Sequence, residues 1–188
     1  MPRKFMFSKQ QIVDAAVDLT RQKGFASVSA RALGEKLGTS PRPIFSYFES
    51  MADVQQAIIQ SANTLYQSYL QQDMASGKYP PYKASGMAYI RFAREEKELF
   101  KLLFMRDRSN EDTTKPADEA DLLTDLICKQ VAISKQQAVT FYLEMWAYVH
   151  GIATMIATNF NVWSEDDCST MLTDMYWGLK SKYENANS

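Results

Sequence analysis

The chain predicts an all-α protein, on three observations. Apolar residues recur at three- and four-residue spacing along most of its length, and no stretch alternates convincingly with period two. Only 7 Gly and 6 Pro are spread through 188 residues, which leaves room for long helices and excludes a collagen-like or turn-dense β protein. With 46% hydrophobic and 23% charged residues, a disordered tail or a fibre is excluded as well. The pattern divides into a three-helix N-terminal domain over residues 1–51 and a larger helical domain over residues 52–188, without an internal repeat.

The first helix is expected to start after Ser8, which can cap it. Gln11 completes a capping box, Phe7 can staple onto Ile12, and Ile12, Ala15, Ala16 and Leu19 line the inner face until Gly24 stops it. A second, short helix fits Ala30 to Leu37, with Ser29 as cap, Leu33 and Leu37 facing inward, and Gly38 able to take a left-handed turn. A third is expected to open at Pro41 under a Ser40 cap, with Ile44 and Phe48 as its buried edge. Pro41 and Pro43 remove two first-turn N–H groups there and leave the Arg42 N–H for Ser40 to cap.

A longer helix begins near Ala52 and ends at the loop signal Gly77-Lys78-Tyr79-Pro80-Pro81. One or two helices follow over Tyr82 to Met105, and then a polar stretch, Arg106 to Asp118, expected to be a mobile loop. Three more are expected at about Ala120 to Val131, Lys135 to Phe160 and Glu165 to Tyr183. Ser134 with Gln137 forms a capping box for the second of these, and Ser164 is followed by carboxylates where a helix dipole favours them.

Several function classes are disfavoured at this level. The most apolar stretch, Met145 to Ala157, is short and contains His150, so no membrane span is expected, and the basic N-terminus runs into polar residues without the apolar core of a secretory signal. Cys128 and Cys168 are isolated thiols, which fits a reducing cytoplasmic compartment. No cluster of acids, metal ligands or phosphate-binding glycines points to an enzyme, a metal site or a cofactor.

Charge is unevenly shared. Residues 1–51 carry eight Lys/Arg against four Asp/Glu, a net +4, and the remainder carries 13 against 18, a net −5. A basic first third on an acidic body is a small nucleic-acid footprint. Two short helices joined by Gly38-Thr39-Ser40 match a helix-turn-helix, whose second helix enters the major groove. The third helix offers Arg42, Pro43, Ser46 and Tyr47 outward. Arg42 can pair bidentately with guanine, Ser46 can reach a base edge or phosphate, the Tyr47 hydroxyl can donate to a phosphate, and Pro43 can touch a thymine methyl or a sugar. An ordinary solvated surface helix would show the same residues, and that reading stays open on the residues alone.

Gly24-Phe25, Arg31, Leu33, Glu35, Gly38, Ser40, Ile44, Phe45 and Phe48, preceded by Ile12, Ala15-Ala16 and Leu19, resemble the N-terminal domain of the tetracycline-repressor (TetR) family, without a gap from Ile12 to about Val54. The resemblance implies a homodimeric transcriptional regulator, a repressor of a near-palindromic DNA operator. It would have an N-terminal helix-turn-helix DNA-binding domain and a helical C-terminal ligand-binding and dimerisation domain. It places Ser29, Arg31, Ser40, Arg42, Pro43, Phe45, Tyr47 and Met51 where family members commonly touch DNA. Phe45 stands where Tyr is frequent and Met51 where Lys is frequent, so a phosphate hydroxyl contact and an ion pair are lost. A helical binding or interaction module that no longer reads an operator is the rival that these two departures suggest.

In the body, Tyr89-Ile90-Arg91-Phe92-Ala93 with Leu99-Phe100, and Trp146 with His150-Gly151, resemble a C-terminal domain type of the same family. The resemblance implies a pocket for a small apolar or aromatic effector, with Tyr89, Phe92, Phe104, Trp146 and His150 as its candidate residues. Each of these fits plain core as well, and His150, the one histidine, fits a core or interface position or a ligand contact. Gly151 inside a helix predicts a close approach of backbone or ligand. Leu143, Trp146, His150, Ala153 and Ala157 recur on one helix, and Met171, Leu172, Met175, Tyr176 and Leu179 on the next. They can pair with symmetry mates in a four-helix bundle or pack within one chain.

Overall fold

The computed structural model describes residues 7–107, 109 and 118–186, and most of the stretch expected to be a mobile loop lies outside them. Every regular element among the described residues is helical. The chain forms two compact units, Met1–Ser68 with Glu96–Arg106, and Tyr69–Glu95 with Asp107–Ser188.

Unit 1 opens with α1 (Lys9–Lys23), whose start is the expected capping box. The Gln11 N–H donates to Ser8 Oγ at 3.1 Å, and the Ser8 N–H donates to Gln11 Oε1 at 2.8 Å. Gly24 ends the helix at φ +79. After a 3₁₀ turn at Phe25–Ser27 comes α2 (Ala30–Lys36), capped by Ser29, which accepts the Ala32 N–H. Its C-terminus closes as a Schellman motif: Gly38, at φ +67, donates to the Glu35 carbonyl at 3.1 Å, and Thr39 donates to the Gly34 carbonyl at 2.9 Å.

The turn after α2 lies directly on that helix. A Cβ at Gly34 would stand 2.9 Å from the Thr39 carbonyl oxygen, closer than a side chain comes to backbone without a shift, and a tight 3.2 Å from Pro41 N. Gly34 is therefore the one residue in α2 whose missing side chain the motif requires. Ile44 and Leu33 are fully buried beneath the turn, and Phe48 is nearly so.

The third helix differs from expectation. Only a 3₁₀ turn, Ile44–Ser46, forms there, and it carries no side-chain cap, so the expected Ser40 cap is not made. Pro41 and Pro43 are the cause: neither has an N–H to donate, and Pro43 disfavours helical backbone at Arg42. The segment settles for i→i−3 bonds instead, from Ile44 to Pro41, Ser46 to Pro43 and Tyr47 to Ile44, at 3.1, 3.2 and 3.1 Å.

Next is α3 (Met51–Ala75), begun by a reciprocal pair in which Ser50 donates its N–H to Asp53 Oδ2 and Asp53 donates its own to Ser50 Oγ. Val54, Ile58 and Ala62 bury one face of its first half. Unit 1 is completed from far along the chain by α5 (Lys97–Phe104), with Leu99 and Phe100 fully buried. Arg21 ties α5 to α1 through a bidentate pair with Glu96, at 2.7 and 2.8 Å, and that hydrogen bonding raises the guanidinium pKa further.

In unit 2, α4 (Pro81–Glu95) is the central helix, buried over Met87, Ala88, Tyr89, Ile90, Phe92 and Ala93. It packs on α6 (Asp118–Val131), α7 (Lys135–Ala157) and α8 (Glu165–Ala186). Gly86 permits one of these contacts, since a Cβ there would meet Leu172 Cδ2 at 2.8 Å. At Gly151 the same test finds nothing within 4 Å, so the close approach expected there is not made among the described residues. α7 carries the expected Ser134–Gln137 capping box and stops at Ala157 rather than Phe160. The early stop has a backbone cause: Asn159 adopts φ +57, and the Asn159 and Phe160 N–H groups donate to the Ile156 and Met155 carbonyls.

Replacing Gly34 with Ala is expected to destabilise unit 1. Overpacking costs about 1–3 kcal/mol, and the better helix propensity of Ala offsets ~1 kcal/mol of it. A lowered urea midpoint for Gly34→Ala checks this, and an unchanged or raised midpoint contradicts the contact.

Candidate functional site

The exposed face of unit 1 is made by the N-terminus of α2 and the turn that follows it. Ser29, Arg31, Ser40, Arg42, Phe45 and Ser46 are exposed there, and Pro43, Tyr47 and Met51 are half-buried. Ser29 already uses its hydroxyl oxygen as the α2 cap, at 3.2 Å from the Ala32 nitrogen. The Arg31 side chain is 89% exposed, and its ion pair with Glu35 at 3.0 Å is a solvated i,i+4 contact of little worth. Its guanidinium can therefore change partners at small cost. Tyr47 donates its hydroxyl to the Phe7 carbonyl at 2.7 Å, which spends on the chain itself the proton expected to go to a phosphate.

This arrangement can present Arg42 and Ser46 to a groove from a rigid support. The support has three parts: the prolines that restrict the turn, the Schellman closure of α2, and the backbone contact at Gly34. Sequence reasoning missed Gly34. The available signal was a glycine in the middle of a seven-residue helix, where it costs about 1 kcal/mol relative to Ala unless packing demands it.

In unit 2 the structure gathers three of the five residues proposed for an effector. Tyr89 Oη lies 2.8 Å from His150 Nδ1, and Trp146 stacks on the imidazole with ring centroids 5.0 Å apart and planes 11° from parallel. Thr154 Oγ1, on the next turn of α7, is 3.4 Å from His150 Nε2 and was not foreseen. Phe92 is fully buried elsewhere, with the Tyr69 ring edge-on to it at 5.3 Å. Phe104 belongs to unit 1, where Tyr66 and Phe100 lie against it, each at 5.2 Å. Burial pushes the His150 pKa below its ordinary value.

Among the described residues, no group of three His, Cys, Asp or Glu could hold a metal ion, and no helix is long and apolar enough to cross a membrane.

Two helical units, one of which presents an exposed turn directly after a short capped helix, define a DNA-binding regulator fold of the helix-turn-helix kind. Residues 12–58 match the profile of the bacterial regulatory proteins of the tetR family, and residues 82–175, half of the chain, match the tetracyclin repressor-like C-terminal domain. The chain belongs to the TetR family. No curated protein matches it significantly in sequence. Among solved structures it is similar to a TetR-like transcriptional regulator from Rhodococcus sp. RHA1, with a TM-score of 0.68 and 18% identity over 90% of this chain and 93% of that one. It is also similar to the multidrug binding protein EbrR, solved in complex with imidazole, with a TM-score of 0.60 and 17% identity over 93% and 96%.

The lowered His150 pKa has a definite sign. The unfolded chain takes up the proton first, so the contribution of this site is full above the ordinary histidine value of 6.5 and falls as pH drops below it. Wild type is expected to lose more melting temperature than His150→Gln between about pH 7.5 and about pH 5.5. Equal losses in the two proteins would contradict the burial of this imidazole.

Proposed function

We propose that the protein is a ligand-responsive transcriptional repressor that binds a near-palindromic operator as a homodimer in the cytoplasm. Unit 1 reads the DNA and unit 2 takes a small apolar or aromatic effector. The observation that carries the reading is the exposed Arg42 on a turn whose backbone is fixed against Gly34, in a segment with net charge +4. A guanidinium held that way can pair bidentately with guanine O6 and N7, while Arg31 and Ser46 contact phosphates or base edges. The effector acts by binding one arrangement of the dimer more tightly than the other, and DNA affinity falls by the same coupling.

The dimer reading rests on α7. Leu143 and Trp146 are 53% and 43% exposed, and with Val139 and His150 they fall on one face of the helix. On α8, Trp177 is 57% exposed. Large apolar side chains spaced this way on two helices suit pairing with a second copy. The inward positions, Ala153, Ala157, Leu172 and Leu179, are buried within one chain and form its own core.

Arg42→Ala is expected to lower affinity for a selected operator by about 1–3 kcal/mol while leaving binding to scrambled duplex nearly unchanged. Fluorescence anisotropy on the two duplexes checks it, and an equal loss on both would make Arg42 a phosphate contact. Leu143→Glu is expected to raise the dimer dissociation constant by roughly 30-fold, the size of one interface hot spot of about 2 kcal/mol. Sedimentation equilibrium showing an unchanged constant would remove α7 from the interface.

A further inference from the structure

Where the chain enters α4, two lysines share one tyrosine ring. Lys78 Nζ lies 5.4 Å from the centroid of the Tyr79 ring, and Lys83 Nζ lies 4.9 Å from it. Their partners differ. Lys78 pairs with Glu165 at 2.7 Å, and the Tyr79 hydroxyl donates to the same carboxylate oxygen at 3.2 Å. Lys83, in the first turn of α4, is half-buried and donates to the neutral Thr173 hydroxyl of α8 at 2.8 Å. Among the described residues, no carboxylate pairs with it.

An ammonium group in that position is poorly supported. Partial burial takes water from it, no counter-charge replaces the water, and the first turn of a helix is the end that disfavours a cation. A second cation also stands on the same ring, so the ring face and one hydroxyl are all that favour the charge. Burial accordingly lowers the Lys83 pKa below its ordinary value. A larger share of neutral amine follows, and the neutral amine is the nucleophile. Lys135 beside Asp125 and Lys182 beside Glu144 are held the other way, their pKa values raised by those hydrogen bonds.

We propose that Lys83 is an acylation site, modified directly by acyl phosphates. The neighbouring cation selects the reagent. The side chains of the Lys78–Glu165 pair are 58% and 52% exposed, so Lys78 can turn to a phosphate group at small cost. A phosphate held by Lys78 brings its acyl group to the amine that shares the Tyr79 ring. Lys83 Nζ then attacks the acyl carbon and forms the N–C bond. The C–O bond to phosphate breaks, inorganic phosphate leaves with the electron pair, and the amine proton passes to water. The product is a neutral amide with one N–H where the ammonium had three, so α4 loses its charge-assisted bond to Thr173 of α8.

The test treats the full-length protein with acetyl phosphate at about pH 7.5 and follows each lysine by peptide mass spectrometry. Lys83 is expected to take the acetyl group at least about threefold faster than Lys135 and Lys182. An equal or slower rate at Lys83 overturns the proposal. Lys78→Ala tests the choice of reagent, with the uncharged N-hydroxysuccinimide ester of acetic acid as the second acyl donor. Any change in the basicity of Lys83 enters both rates alike, so their ratio isolates the phosphate contact. In Lys78→Ala the ratio of Lys83 acetylation by acetyl phosphate to that by the ester is expected to fall about threefold. An unchanged ratio removes acyl phosphate as the reagent and overturns the proposal as well.

Discussion

The close approach of the Thr39–Pro41 backbone to Gly34 sets the geometry on which the rest of unit 1 depends. With no Cβ in the way, the chain leaving α2 turns back at once through Gly38 and lays its Thr39–Pro41 backbone on the helix. Arg42 and Phe45 therefore project from a short, stiff loop whose inner residues, Ile44 and Phe48, are locked in the core. A recognition element with only three residues of 3₁₀ helix has little stability of its own. Its order is borrowed from α2, and a side chain at position 34 would take that order away.

A second constraint comes from far along the chain. α5 lies within the part that matches the C-terminal family domain, yet it packs as a member of unit 1. The Arg21–Glu96 pair holds it to α1, with Leu99 and Phe100 buried behind it. Glu96 is also the single residue between α4 and α5, so the helix that is central to unit 2 passes directly into one that unit 1 requires.

Much of the architecture was legible because local signals and packing agree. Ser8 with Gln11, Ser29, Gly38, and Ser134 with Gln137 each mark a helix end through hydrogen bonds that four or five consecutive residues can specify. The third helix was misread because Pro41 and Pro43 were weighed singly, each acceptable in a first turn, while together they favour the tighter 3₁₀ bonding. The grouping of the proposed effector residues was the least legible part. Tyr89, His150 and Trp146 come together from two helices, whereas Phe92 and Phe104 are aromatic residues of other packing clusters. Helical spacing states that a residue faces inward but not which cluster it joins. The glycines show the same limit, since Gly34 and Gly86 are close contacts and Gly151 is not, although all three sit inside helices.

The most direct test of the account is selection of duplex DNA from a random pool by the full-length protein at near-physiological salt. An account in which two copies of a rigid basic turn read the major groove predicts an enriched inverted repeat, with half-site centres about 34 Å apart or a multiple of that. No enriched sequence would contradict it, and so would enrichment of single, unrepeated sites.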